Sequence, residues 1–261
     1  MEVVILPDEE AIGALVADAV EALVRRRRAA VLGVATGSSP LPVYGELVRR
    51  HRDGTAPDWS GVTFFTLDEY VGLPVGSAAS YRSTIARELT DPLDIDPSRV
   101  HGPDPTPDAL ADAGERYEHA IRDAGGIDLQ LLGIGADGHL AFNEPGSSLV
   151  SRTRIKTLTS QTRADNARFF GSVDEVPRHV LTQGLGTLSE ARHLVLVAVG
   201  VCKAAAVAAA VEGPVSASCP ASVLQLHPHA TVVLDPAAAS GLARAEYYRE
   251  VWAGKPEWQG I

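Results

Sequence analysis

A short segment of the sequence combines one histidine with two carboxylates. Asp137 lies two residues before His139, and Glu144 follows five residues after it, so one loop could bring both acids around the imidazole. A carboxylate beside a histidine fixes its tautomer and raises its basicity, which favours general acid/base chemistry near neutral pH. The alternative is a solvent-facing histidine in a polar loop, because Gly, Asp and Asn are common turn residues.

This segment follows an apolar run, Leu129 to Ile134, that is typical of a buried parallel strand. Gly135 ends the run, and the polar residues come directly after it. Ligands of α/β proteins bind at the carboxyl edge of the sheet. We therefore predict that Asp137, His139 and Glu144 belong to a site at this edge.

Another strand-to-helix junction carries residue types that bind phosphate. An apolar run over residues 29–35 leads to Gly37, Ser38 and Ser39, and a helix is predicted to begin at about Pro40. Backbone N–H groups and hydroxyls in such a turn can hold a phosphate at the helix N-terminus. The turn matches neither GxGxxG nor GxxxxGK(S/T), so a dinucleotide or nucleoside triphosphate is not indicated. An ordinary connecting loop is the alternative.

Two further junctions complete the predicted site. Asp68 and Glu69 follow a strand over residues 62–67, and Lys203 starts an alanine-rich helix after a strand over residues 193–199. A lysine is unfavourable with the dipole at a helix N-terminus, so an anionic ligand would explain its position. In a parallel sheet all these junctions face one edge. The combination predicts proton-transfer chemistry on a small phosphorylated compound such as a sugar phosphate.

The whole chain is consistent with one domain, residues 1–261. Of its 261 residues 45% are hydrophobic, and its formal net charge of −10 argues against nucleic-acid binding. No apolar stretch is long enough for a transmembrane helix, the first residues lack the features of a signal peptide, and neither Cys202 nor Cys219 has metal-ligand spacing. We expect a cytoplasmic protein, without metal or cofactor and not bound to membranes. Its predicted fold is a doubly wound, mostly parallel Rossmann-like α/β sheet with helices on both faces.

Five longer motifs occur in order along nearly the whole chain: LGVATGSSPLPVYGEL, FFTLDEYVGL, GIGADGHLAFNEPGSSLVSRTRIKTLT, TRADNARFF and AVEGPVSASCPASVLQLH. Together they resemble the glucosamine-6-phosphate deaminases of the glucosamine/galactosamine-6-phosphate isomerase family. The broader superfamily also includes 6-phosphogluconolactonases and sugar-phosphate-sensing domains of transcription regulators. The resemblance implies reversible conversion of glucosamine 6-phosphate and water into fructose 6-phosphate and ammonia, as used in N-acetylglucosamine catabolism.

The resemblance also implies roles for single residues. Asp68 matches the base that moves a proton between C2 and C1 through an enediol-type intermediate. His139 matches the group that opens the pyranose ring, assisted by Asp137 and Glu144. This chemistry requires no cofactor.

The same resemblance places the substrate phosphate and an effector. Phosphate is expected at Gly37, Ser38, Ser39, Arg168 and Lys203, with Arg168 on a mobile lid of roughly residues 156–181 that closes to exclude water. Some relatives are hexamers activated by N-acetylglucosamine 6-phosphate at a site between subunits. The positions that match this effector site are Ser147, Arg154, Lys156, Thr157 and Tyr247. We therefore expect a homo-oligomer, with a hexamer as one option.

Three alternative functions stay open. A 6-phosphogluconolactonase would use the same histidine without needing Asp68 as a carbon base. A sugar-phosphate isomerase would release no ammonia. A catalytically silent sensor would bind the amino-sugar phosphate without turning it over.

Overall fold

A computed structural model describes residues 1–74, 76–167 and 170–261. The short apolar runs of the sequence form most of its strands, which are β1 (Glu2–Ile5), β2 (Val31–Val34), β3 (Thr63–Thr66), β4 (Asp68–Tyr70), β5 (Val100–His101), β6 (Leu129–Leu132), β7 (Arg154–Thr157), β8 (His179–Thr182), β9 (Leu194–Ala198) and β10 (Ala230–Leu234). Seven of them form one sheet in the order β1-β10-β9-β6-β2-β3-β5, and every neighbouring pair in it is parallel. We call it the large sheet.

Helices cover both faces of the large sheet. The α-helices of the described residues are α1 (Glu9–Arg26), α2 (Leu41–Arg52), α3 (Tyr81–Ile85), α4 (Leu110–Asp123), α5 (Ser160–Asn166), α6 (Leu185–Leu188), α7 (Ala204–Val211) and α8 (Ala245–Ala253). Successive residues of a strand point to opposite faces. Leu32 of β2 accordingly lies in the core that contains Ile12 of α1, whereas Val31 lies in the core that contains Tyr117 of α4. The predicted doubly wound fold is confirmed.

The remaining three strands form a second sheet that the sequence analysis did not predict. Its order is β4-β8-β7, and both pairs are antiparallel. We call it the small sheet. The prediction that Asp68 and Glu69 lie at a strand-to-helix junction is wrong, because both residues are part of β4. Two acids in succession indicate a loop, and only pairing with the distant β8 makes this segment a strand.

A local signal marks the start of α1. Asp8 caps α1, since its side chain accepts a hydrogen bond from Ala11 N at 2.8 Å. α3 continues directly into a π-helical turn, Ala86–Thr90. Among the residues that the structure describes, no helix combines the length and apolarity that crossing a bilayer requires.

Candidate active site

The strand order of the large sheet reverses between β2 and β6. From β2 the chain continues to β3 and β5 on one side, and from β6 it continues to β9 and β10 on the other. Open α/β sheets bind ligands in the crevice at such a reversal. The turn after β2 meets the loop after β6, residues 133–144, which we call the histidine loop. A β-carbon placed on Gly133 would lie 3.3 Å from Ser39 Cβ.

The turn after β2 is anchored at its base and exposed at its tip. The buried Tyr44 hydroxyl of α2 donates to Ala35 O at 2.8 Å and lies 3.1 Å from Ala35 N, which holds the end of the strand. Gly37 has φ of +96°, a left-handed conformation that favours glycine. Gly37 and Ser38 are exposed. The predicted phosphate turn is therefore open to a ligand.

The histidine loop brings Asp137 and His139 together. Asp137 Oδ1 lies 2.6 Å from His139 Nδ1 and also accepts a hydrogen bond from the His139 backbone N at 3.1 Å. The imidazole lies against the backbone of Gly135, where a β-carbon would be 2.2 Å from His139 Cε1. Because Asp137 engages Nδ1, Nε2 is the ring nitrogen that can face a substrate.

Glu144 does not join this pair. Its carboxylate accepts a hydrogen bond from the Thr162 hydroxyl of α5, and the contacts of the described residues include no bond from Glu144 to the imidazole. The expectation that one loop brings both carboxylates around His139 therefore holds for Asp137 alone. A tight turn over Leu140–Asn143 separates Glu144 from His139. Sequence reasoning missed Thr162, because a threonine on a short polar helix carries no signal of such a contact.

Asp68 occupies the least solvated position in the site. Only 4% of the residue is exposed, and no group in the described part of the chain donates a hydrogen bond to its carboxylate. Burial raises the pKa of Asp68 well above its ordinary value, and the neighbouring Glu69 carboxylate adds to the effect. A carboxylate that is hard to ionise is a stronger base when it is ionised.

Glu69 has a structural role that the sequence analysis left unassigned. Its carboxylate accepts hydrogen bonds from the backbone N atoms of Tyr70, Tyr81 and Arg82, at 2.9, 3.0 and 2.9 Å. Two of these donors are the first residues of α3. Glu69 thus caps α3 and ties it to β4, which leaves Asp68 as the acid of this pair that can act on a substrate.

Lys203 lies at the same edge of the large sheet as the histidine loop. It ends a 3-10 turn, Val201–Lys203, directly after β9, and β9 is the neighbour of β6. Gly200 opens this turn with φ of +89°, and its N donates to Asp235 Oδ1 at 3.0 Å. Within the described ranges, Lys203 forms no ion pair with a carboxylate. Arg168, the other cation among the predicted phosphate ligands, lies outside the described residues.

The predicted effector positions are divided between two regions. Arg154, Lys156 and Thr157 lie on β7, and Ser147, which is buried, lies just beyond the histidine loop. Tyr247 lies on α8, which packs against the edge strand β1, and it is 60% exposed. The Arg154 guanidinium already bonds Asn143 Oδ1 at 2.9 Å, a contact that the sequence did not indicate.

Comparisons with known proteins identify the family of the chain. Residues 9–233 match the family model described as glucosamine-6-phosphate isomerases/6-phosphogluconolactonase. The chain is 61% identical to the glucosamine-6-phosphate deaminase of Arthrobacter sp. (strain FB24) and 60% identical to that of Streptomyces coelicolor, and each alignment covers 100% of both proteins. The fold and the family match thus assign the chain to a class of α/β proteins that act on sugar phosphates.

Solved structures distinguish the members of this class. A monomeric glucosamine-6-phosphate deaminase matches with a TM-score of 0.89 and 38% identity, over 92% of this chain and 100% of its own. The 6-phosphogluconolactonase of Trypanosoma cruzi matches with a TM-score of 0.74 and 19% identity, over 93% of this chain and 97% of its own. The second likeness shows the shared fold alone. The chain belongs to the glucosamine-6-phosphate deaminase family, and the predicted resemblance is confirmed.

Proposed function

We propose that this protein converts glucosamine 6-phosphate and water into fructose 6-phosphate and ammonia. The observation that carries the proposal is the burial of Asp68 on β4, whose partner on β8, Thr182, bonds the loop that holds the Asp137–His139 pair. A lactonase needs an acid/base histidine but no base for a carbon acid. A deaminase that isomerises its substrate needs both.

His139 opens the sugar ring in the first step. Its Nε2 takes the proton of the C1 hydroxyl, the bond between C1 and the ring oxygen breaks, and the imidazolium returns the proton to that oxygen. Asp137 stabilises the imidazolium through Nδ1, at 2.6 Å. Glu144 supports this step from the far end of the loop, as the family resemblance implies.

Asp68 acts on the open-chain form. Its carboxylate takes the C2 proton while the C1 oxygen takes a proton from the substrate's ammonium group, which gives an enol-type intermediate with a hydroxyl on C1 and an amino group on C2. The same proton then returns to C1, and the imine left at C2 is hydrolysed by water with release of ammonia. Every step moves protons or water, so the reaction needs no cofactor. The burial of Asp68 favours this role, because a desolvated carboxylate is a stronger base.

The phosphate group binds at the opposite end of the substrate. Backbone N–H groups of the turn at Gly37, Ser38 and Ser39 receive it together with the Lys203 ammonium, and Arg168 is the proposed third ligand. Residues 156–181 act as a lid over the bound sugar. The hydrogen bond from Thr162 to Glu144 supports this role, because it joins that segment to the histidine loop.

The test is release of ammonia from glucosamine 6-phosphate by the purified protein without added metal or cofactor. Wild-type protein should release ammonia, and the Asp68→Asn variant should not. Hydrolysis of 6-phosphogluconolactone that survives Asp68→Asn would instead identify a lactonase. Fructose 6-phosphate formed without ammonia would indicate a simple isomerase, and binding without turnover would indicate a sensor.

We further propose a cytoplasmic homo-oligomer that serves N-acetylglucosamine catabolism and is activated by N-acetylglucosamine 6-phosphate. The effector would bind at Ser147, Arg154, Lys156, Thr157 and Tyr247, and the two cations on β7 support binding of a phosphate there. One relative of known structure is a monomeric deaminase, so oligomerisation needs a direct test. Light scattering would give the mass in solution. Saturation curves that stay hyperbolic and unchanged by the effector would exclude the activation.

A further inference from the structure

A row of three side chains crosses the small sheet beside the site. Asp68 on β4 is the cross-strand partner of Thr182 on β8, and Thr182 is in turn the partner of Arg154 on β7. Residues directly opposite one another in antiparallel strands project their side chains from the same face of the sheet. The proposed base is therefore the end member of this row.

The other two members of the row hold the histidine loop. The Thr182 hydroxyl accepts a hydrogen bond from Phe142 N at 3.1 Å, and the Arg154 guanidinium donates to Asn143 Oδ1 at 2.9 Å. Asn143 Nδ2 also donates to the backbone O of Gln183, next to Thr182, at 2.8 Å. Thr182 and Asn143 are both fully buried, so water does not compete for these bonds.

The segment that they hold is a strained turn. Ala141 has φ of +51°, a conformation that a residue with a β-carbon adopts only when its surroundings impose it. Asn143 closes the turn, since its N and its Nδ2 both donate to Leu140 O at 3.0 Å. This turn is the covalent link between His139 and Glu144. The hydrogen bonds from this turn to β8 and β7 maintain the geometry of the turn.

We propose that Thr182 is a positioning residue, which sets the place of the His139 imidazole relative to the Asp68 carboxylate by joining β8 to the turn at Phe142. The inference rests on the function proposed above, because it takes Asp68 and His139 to act in succession on one bound sugar. Without the hydroxyl, Phe142 N would lose its acceptor in a buried setting, and the turn could relax. A displacement of about 1 Å in a catalytic group can lower a rate about 100-fold.

The test compares three variants of the full chain. Thr182→Val keeps the shape of the side chain and removes the hydroxyl, whereas Thr182→Ser keeps the hydroxyl. Thr187→Val is the matched control, because Thr187 is also buried but its hydroxyl donates to Glu118 and not to the histidine loop. Each variant would be characterised by kcat and KM for ammonia release and by Tm.

We expect Thr182→Val to lower kcat about 10- to 100-fold with KM changed by less than about threefold, because the turn is displaced while the phosphate ligands are intact. Thr182→Ser should restore most of kcat. Thr187→Val should lower Tm and leave kcat within about twofold of wild type. A kcat for Thr182→Val close to wild type, an equal loss in Thr187→Val, or no rescue by serine would each overturn the inference.

Arg154→Met tests the same turn if Thr182→Val does not fold. It removes the donor to Asn143 from a partly exposed side chain, and we expect kcat without effector to fall about tenfold. An unchanged kcat in this variant would also count against the inference. Failure of the proposed function would look different, since the wild-type protein itself would then release no ammonia.

Discussion

The two sheets present their functional groups in opposite surroundings. The large sheet carries its groups on loops beyond the strand ends. There the side chains of His139 and Asp137 are 33% and 49% exposed. The small sheet carries Asp68 within a strand, where 4% of the residue is exposed. Loops suit groups that exchange protons with hydroxyls and solvent, whereas burial strengthens a carboxylate as a base toward a carbon acid. The site thus combines two dielectric environments, one from each sheet.

The largest effect is expected from Asp68→Asn, which removes the buried acid. Activity should fall about 10²- to 10⁴-fold, the usual contribution of a general base. Stability at neutral pH should rise by about 0.5–2 kcal/mol, because the neutral amide carries no charge that burial must desolvate. Ammonia release and thermal unfolding would measure the two effects.

The stability gained by Asp68→Asn should increase with pH. Burial raises the pKa of Asp68 above its ordinary value of 3.8, so the folded state retains a proton that the unfolded state has lost. The contribution of Asp68 to the free energy of unfolding therefore decreases as pH rises above 3.8. The difference in stability between Asp68→Asn and wild type grows accordingly. Asp137→Asn is the control, since it should lose activity without becoming more stable. Equal stability changes in both variants would refute the contrast between the sheets.

Gly135→Ala tests whether the exposed side of the site depends on close packing. A β-carbon at this position would lie 2.2 Å from the His139 ring, so the imidazole must move. We expect kcat to fall about 100-fold, because catalysis requires this group within a fraction of an ångström. Gly45→Ala on α2 has no atom within 4 Å of its new methyl and should leave kcat unchanged. Wild-type kcat in Gly135→Ala would show that the position of His139 is not critical.

Glu118→Gln weakens the attachment of the small sheet to α4. The buried Glu118 carboxylate accepts hydrogen bonds from Thr153 N and Thr153 Oγ1, at 2.8 and 2.6 Å, and from the Thr187 hydroxyl. Burial opposes its ionisation, yet these donors outweigh burial and lower its pKa. The amide cannot accept all of them, and we expect a loss of about 1–3 kcal/mol in denaturant unfolding.

Glu190→Gln is the matched control for that measurement. Glu190 and Glu118 both pair with Arg152, but the Glu190 side chain is 59% exposed. Its substitution should cost less than about 0.5 kcal/mol, as exposed ion pairs contribute little. Similar losses in both variants would show that burial does not distinguish the two carboxylates.

The smallest effect concerns the amino edge of the large sheet, opposite the site. The rings of His193 and His229 stack there with centroids 3.6 Å apart. Burial, and then the nearby His229, His227 and Lys255, lower the pKa of His193 from 6.5 to about 3. The unfolded state binds this proton and the folded state does not, so stability should fall as pH drops from 6.5 toward about 3.

Thermal unfolding across mildly acidic pH would measure this loss, which we expect on the order of 1–2 kcal/mol. The acid-dependent decrease should be smaller in His193→Gln and unchanged in His119→Gln, whose histidine is exposed on α4. The pH profile of kcat should be the same in both variants, because His193 lies away from the site. A changed profile in His193→Gln would show that the two edges of the sheet are coupled.

Most of the large sheet could be predicted because its signals are local. The run from Leu129 to Ile134 is apolar at every position but Gln130 and Gly133, and the glycine and acids after it indicate the end of a strand. Four strand ends at one edge follow from the parallel order. The pairing of Asp137 with His139 was also within reach, since the two residues are close in sequence.

The small sheet could not be predicted in this way. β4 contains two acids and β7 alternates partly buried and exposed residues, so neither resembles the apolar strands of the large sheet. The same limit applies to Glu144, whose partner Thr162 belongs to a separate helix. Each of these contacts depends on the register between segments that are distant in the chain.

The sequence by itself determined the family and the parallel α/β core, and it predicts the acid/base groups, because apolar periodicity, glycine-bounded strand ends and short motifs are local. Only the tertiary structure decided the environment of each group. Pairing of β4 with β8 buries Asp68 and places it opposite Thr182, whereas the turn at Ala141 separates Glu144 from His139. Desolvation and strand register arise from residues far apart in the chain, and no local pattern specifies them.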